Sequence, residues 1–174
     1  MRYDGPIVNT LQRLKQQGYR VIVRVMAVHE SISLLGTYER YEEQKQIFGY
    51  GRAVPEESHD AAYHGMLKTI ERIEKEKLFD LLQVYNRNKH LLYENRVLHN
   101  ELTNPPQAVE AIIHEPEKEW TPEQVRQYIK AWNRVIEKMV LRRADPQEIL
   151  LVYRRSVEIL MAINEKHRSY RQRS

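Results

Sequence analysis

The chain has 174 residues, 41% of them hydrophobic and 30% charged, enough for one domain with a buried core. It has no cysteine, which excludes disulfides, thiolate nucleophiles and zinc–thiolate sites, and its apolar runs fall far short of a membrane span. The net charge of +4 is spread over Arg142-Arg143, Arg154-Arg155 and the basic end KHRSYRQRS. It reads as solvated surface, not as a nucleic-acid face.

No signal-peptide core occurs in MRYDGPIVNT, so a soluble cytoplasmic protein is the expectation. Ile7 to Gln17 reads as a short amphipathic helix, with Ile7, Leu11 and Leu14 at helical spacing. Gly18 is its natural stop, because glycine takes the left-handed cap conformation without steric cost. YRVIVRVMAV is β-branched and nearly continuously apolar, the pattern of a parallel strand buried on both faces. Helix, glycine and strand together form the second half of a βαβ unit.

HESISLLGTYERYEEQKQIFG reads as a helix with Ser31 as its N-cap and Ile32, Leu35 and Glu39 on one side, flanked by Tyr38 and Tyr41. GYGRAVP is a loop. A third helix runs from about Glu56 to Lys77, with Ala62, Met66, Ile70 and Ile73 in phase. A strand around Leu81 to Tyr85, the turn NRNK and a return strand HLLYEN follow.

After Asn104-Pro105-Pro106 the chain becomes all-helical. PPQAVEAIIH is one helix. The next opens with Thr121 as N-cap and Pro122 at the first position, and the last repeats the device with Asp145 and Pro146. Ile149, Val152, Ser156, Ile159 and Ile163 trace the inner side of that last helix, which should pack with its predecessor as a hairpin. The expected division is 1–104 for an α/β region and 105–174 for a helical extension.

Chemistry is sparse in the motifs. None of the seven histidines forms HExxH, and His59-Asp60 with His64 has the i, i+5 spacing that suits a metal poorly; solvent-facing helix residues are the plain reading. Neither GxSxG nor the phosphate loop GxxxxGK[ST] occurs. What remains is RYEEQKQIFGYGR, where Arg40 and Arg52 bracket a helix end and a glycine-bearing turn. A guanidinium is always charged and grips phosphate oxygens through paired hydrogen bonds, so two of them can close over a triphosphate. The plain alternative pairs Arg40 with Glu43 and leaves Arg52 in solvent.

Several blocks occur in a fixed order: Gly18-Tyr19 before a strand, Ser31 leading to Arg40-Tyr41-Glu42, Arg52-Ala53-Val54-Pro55, His59-Asp60, and Tyr85-Asn86-Arg87 at a strand end. As a set, over about the first 95 residues, they resemble the zeta toxin family of toxin–antitoxin systems. The resemblance implies an α/β P-loop kinase-like fold with a parallel sheet and flanking helices, represented by its lid-bearing C-terminal half. It implies ATP and Mg2+ as cofactors and phosphorylation of the amino-sugar 3′-hydroxyl of UDP-N-acetylglucosamine. Arg40 and Arg52 map by motif to the arginines that reach the ATP phosphates. An epsilon-type antitoxin, or the missing N-terminal half, is the implied partner.

The family's Walker A loop and catalytic aspartate lie upstream of the matching blocks, and Asp4 is not a plausible replacement base. The chain alone is therefore expected to be catalytically incomplete; the alternative is a non-catalytic interaction or regulatory module derived from the same fold. Self-association is expected through the apolar edge of the first strand unless the C-terminal helices cover it.

Overall fold

A computed structural model describes residues 5–117 and 120–171; Asp4 and residues 172–174 of the basic end lie outside them. In chain order the elements are α1 (Gly5–Gln16), β1 (Ile22–Ala27), α2 (Glu30–Phe48), α3 (Glu56–Lys75), β2 (Leu81–Asn86), β3 (Leu91–Leu98), β4 (Glu101–Leu102), α4 (Ala108–Glu117), α5 (Pro122–Leu141) and α6 (Pro146–Arg171). They form two compact units, one made of 1–30 and 55–118 and the other of 31–54 and 119–174. This spatial division is not the compositional one at residue 104. α4 groups with the sheet, while α2 and its following loop group with the C-terminal helices.

In the first unit the sheet order is β1-β2-β3-β4. β1 and β2 are parallel, with Ile22 beside Leu81 and Ala27 beside Asn86. β2–β3 and β3–β4 are antiparallel, so the sheet is mixed, carrying one parallel pair. Gly18 ends α1 as the sequence predicts, at φ 78°, with Tyr19 N donating to Leu14 O and Gly18 N to Lys15 O, a Schellman arrangement. The core gathers Val8 from α1, Ile70 and Ile73 from α3, Ala108 and Ile112 from α4, and Val25, Leu82 and Val84 from the strands.

β1 departs from the expectation of burial on both faces. Val25 and Ala27 are buried, but Ile22 and Met26 are 43% and 53% exposed. Arg24 lies between them and donates to Gln83 Oε1 at 3.1 Å, and Gln83 donates onward to Glu94 at 2.8 Å. One face of the sheet therefore carries a polar ladder, and among the described residues β1 pairs on one side only. Its open flank, with Ile7, Leu11, Ala62 and Met66, borders a groove of about 610 Å³.

Among the described residues of this unit, every buried side-chain polar atom has a hydrogen-bond partner. Glu74, 3% exposed, accepts from Tyr93 Oη at 2.5 Å, from Asn95 Nδ2 at 3.1 Å and from the Ala108 backbone N–H at 3.1 Å. The last bond caps the start of α4, where an anion also meets the helix dipole. Burial, and then the Glu74 carboxylate, push the Tyr93 phenol well above its ordinary range. His59, expected on a solvent face, is instead 6% exposed, with Nδ1 3.0 Å from Asp60 Oδ1.

In the second unit α5 opens on the expected cap. Thr121 Oγ1 accepts from Gln124 N, and Gln124 Oε1 accepts from Thr121 N, a reciprocal capping box. Asp145 likewise accepts from Gln147 N at 2.7 Å before α6. α5 and α6 supply Trp132, Val135, Met139, Val152, Ile159 and Ile163 to one core, joined by Leu34 and Leu35 of α2. Ser31 is not the N-cap of α2, which begins at Glu30; its carbonyl accepts from Tyr128 Oη at 3.1 Å. The inner side of α2 runs Leu34, Leu35, Tyr38 and Glu42 rather than through Glu39, which pairs with Arg134 at 3.4 Å. None of the described helices is long and apolar enough to cross a membrane.

Candidate functional site

The segment from Arg40 to Arg52 lies wholly within the helical unit. α2 carries Arg40 through Phe48 and stops at Gly49, whose φ of 77° turns the chain. Its N–H still donates to Lys45 O at 3.0 Å. The loop then folds back along the helix it has left. Gly51 packs on Tyr41 so tightly that a Cβ there would stand 2.7 Å from Tyr41 O and 2.9 Å from the ring. One residue later, Arg52 N donates to Gln44 Oε1 at 3.0 Å. Arg52 thus follows a glycine that touches Tyr41, and Arg40 precedes Tyr41. The fold brings both arginines to the same stretch of α2.

Both guanidiniums are exposed, and neither enters an ion pair or side-chain hydrogen bond among the described residues. The plain pairing of Arg40 with Glu43 does not form; Glu43 lies 3.5 Å from Lys138. Other carboxylates of the segment are also engaged. Glu42 is 2% exposed and takes a two-pronged bond from Arg142, Nε to Oε2 at 2.7 Å and Nη2 to Oε1 at 2.9 Å. Arg142 also donates to Glu148 at 2.6 Å and lies over the Tyr41 ring at 5.9 Å. The Glu42 hydrogen bond, opposed by burial and reinforced by Glu148, holds Arg142 even more firmly protonated than usual. The cluster borders a cavity of about 260 Å³ lined by Thr37, Tyr38, Ala53 and Met139 among others.

Sequence reasoning singled out Arg40 and Arg52 but missed the ion pair that joins α2 to the end of α5. Arg142 is 100 residues from Glu42, and no local spacing announces that pair. In the glycine-bearing turn, the lack of a side chain at Gly51 lets the loop lie against Tyr41. No group of three or more His, Cys, Asp or Glu side chains that could hold a metal occurs among the described residues.

Comparison with known proteins adds the following. The family model described as Zeta toxin matches residues 4–98, more than half of the chain. The chain is 32% identical over 88 residues to Toxin PezT of Streptococcus pneumoniae, covering 50% of this chain and 35% of that protein. It is 37% identical over 93 residues to Toxin zeta of Enterococcus hirae, and 36% identical over 93 residues to Toxin zeta of Streptococcus pyogenes. Each of these matches covers 53% of this chain and 32% of the relative. The chain thus spans about a third of the length of these curated relatives. A solved structure from a study of the PezAT chromosomal toxin-antitoxin system of Streptococcus pneumoniae superposes with a TM-score of 0.60 at 24% identity. It covers 78% of this chain and 52% of the other, a likeness of fold.

Proposed function

The chain belongs to the zeta toxin family, and on that premise we propose that its helical unit presents the arginine clamp of an ATP-dependent kinase acting on UDP-N-acetylglucosamine. The observation that carries this reading is the state of Arg40 and Arg52: exposed, without ion partners, and set on one stretch of α2 by Gly51 and Gln44. The sugar 3′-hydroxyl oxygen attacks the γ-phosphorus, the bond to the ADP leaving group breaks, and the hydroxyl proton passes to a general base. Charge on the transferring group and on the leaving oxygens is then neutralised by the two guanidiniums. GxxxxGK[ST] does not occur in these 174 residues, so the reading assigns this chain the clamp and leaves the phosphate loop and the base to other sequence. An epsilon-type antitoxin is the partner it implies.

The test is a titration of the 174-residue chain with ATP and with inorganic tripolyphosphate, read at the arginine side-chain N–H resonances. Binding should be weak, with Arg40 and Arg52 responding first. Arg40→Ala and Arg52→Ala should each lower affinity about threefold to tenfold. Gly51→Ala, which forces the loop off Tyr41, should lower it comparably while the far-ultraviolet circular dichroism is kept. Arg126→Ala, removing a cation already paired with Glu123, should change little. Equal losses from Arg126→Ala and Arg52→Ala would reduce the clamp to general electrostatic attraction and sink the reading.

A further inference from the structure

Between the two arginines the chain displays three large apolar side chains that contribute little to any core: Ile47, Phe48 and Tyr50, 69%, 61% and 73% exposed. Phe48 and Tyr50 stand on either side of the left-handed turn at Gly49, their ring centroids 6.1 Å apart and their planes tilted by 36°. Solvent exposure of two neighbouring aromatic faces loses the stabilisation that burial would give, and neither ring belongs to the core of the unit.

The charge around the pair narrows what it can meet. Glu39, Glu42 and Glu43 are paired with Arg134, Arg142 and Lys138, while Arg40 and Arg52 are not. Lys45 adds a third cation on the same helix, over the Tyr41 ring. The aromatic pair is thus framed by unneutralised positive charge. Phe48 lies eight residues beyond Arg40, about 12 Å along the helix axis, and Tyr50 lies two residues before Arg52. A ligand complementary to this surface has a flat π face joined to a short anionic chain.

Resting on the clamp reading above, we propose that Phe48 and Tyr50 form a stacking platform for the base of the nucleoside triphosphate whose phosphates Arg40 and Arg52 hold. A base stacks on such a platform through its π face, which every base has. No buried hydrogen-bonding edge is needed, so discrimination among bases should be slight and purines should be modestly favoured. The platform would set how the triphosphate chain enters the clamp, because the glycine turn couples ring position to Arg52.

The chain contains only two phenylalanines, and the other, Phe79, is fully buried. Uniform fluorophenylalanine labelling therefore gives one exposed and one buried fluorine resonance. ATP should shift the Phe48 resonance and leave Phe79 unmoved, whereas tripolyphosphate, which has no base, should perturb the arginines with little effect at Phe48. Phe48→Ala with Tyr50→Ala should weaken ATP binding about tenfold and leave tripolyphosphate binding unchanged.

If the arginines respond to both ligands but Phe48 responds equally to both or to neither, the platform is overturned and the clamp stands. If the arginines respond to neither, both readings fall. A Phe48 resonance that moves with protein concentration and ignores ATP would assign the patch to a protein contact, and would also overturn the platform.

Discussion

The two units of this molecule handle buried charge in different ways. In the sheet unit the buried carboxylate of Glu74 is satisfied by neutral donors: a phenol, an amide and a helix N-terminal N–H. In the helical unit a buried carboxylate, Glu42, is satisfied by a cation, Arg142, which is shared with Glu148. The first arrangement ties strand to helix. The second lies two residues from Arg40 and fixes the helix face opposite to it. In the proposed clamp, the C-terminal hairpin supplies rigidity behind the phosphate-facing arginines. On that proposal the KMVLRR turn at the end of α5, which carries no motif, would have a positioning role through Arg142.

The largest expected effect bears on whether the helical unit is stabilised by its own core. Trp132 is 1% exposed and packs against Tyr38 at 5.2 Å and Tyr128 at 6.2 Å between centroids. Trp132→Ala should cost about 3–5 kcal/mol. Both tryptophans lie in this unit, so fluorescence of the remaining Trp120 follows its unfolding alone. Amide exchange at β2 and β3 should stay close to that of the parent chain. Equal loss of protection in the sheet would show that the two units unfold as one, and the contrast would lose its energetic meaning.

The next effect concerns the ionic cluster itself. Glu42→Gln keeps the shape but leaves Arg142 with Glu148 as its one remaining carboxylate partner, at an expected cost of about 2–4 kcal/mol. Arg142→Gln should cost a similar amount. The double variant should cost at least about 1 kcal/mol less than the sum, because neither change then strands a charge. Urea unfolding of the four proteins gives the cycle. Additive losses would mean that the cluster does not act as a unit.

Much of this was legible in the sequence, and what was not has a common cause. Caps and stops depend on residues within one turn, so Gly18, Thr121 and Asp145 read correctly. The inner face of α6 read correctly because a helix repeats its period over many residues. β1 did not, because an apolar run looks the same on an edge as in a sheet centre, and only pairing reveals that Ile22 and Met26 stay open. Arg40 and Arg52, the residues of the proposed clamp, were singled out through their place among recognisable blocks. Glu42, Arg142 and Tyr41 were not assigned their roles, since those depend on a contact between segments 100 residues apart. His59 was misplaced because a lone histidine in a helix shows no sign of which way it faces.

The smallest effect tests the neutral side of the contrast, where charge plays a minor part. Asp80, at the start of β2, accepts from Val21 N at 2.6 Å and from Lys15 Nζ at 3.1 Å, tying β1 and α1 together. Burial pushes its carboxyl upward, but the Val21 and Lys15 hydrogen bonds and the Lys15 and Arg20 charges outweigh that and hold it below the ordinary value. A carboxyl depressed in the folded state contributes stability that is present above its unfolded pKa of about 3.9 and is lost as pH falls through its folded value. The loss should therefore appear below about pH 4 and, because the pair is partly exposed and screened, amount to less than about 1 kcal/mol. Asp80→Asn should remove that acid-side slope from amide exchange at Val21 and Leu81 and leave the helical unit's tryptophan signal unchanged. If the slope survives the substitution, the acid sensitivity of the sheet unit belongs to another carboxylate. Glu94, lowered first by its Gln83 hydrogen bond and then by Arg96, is the next to test.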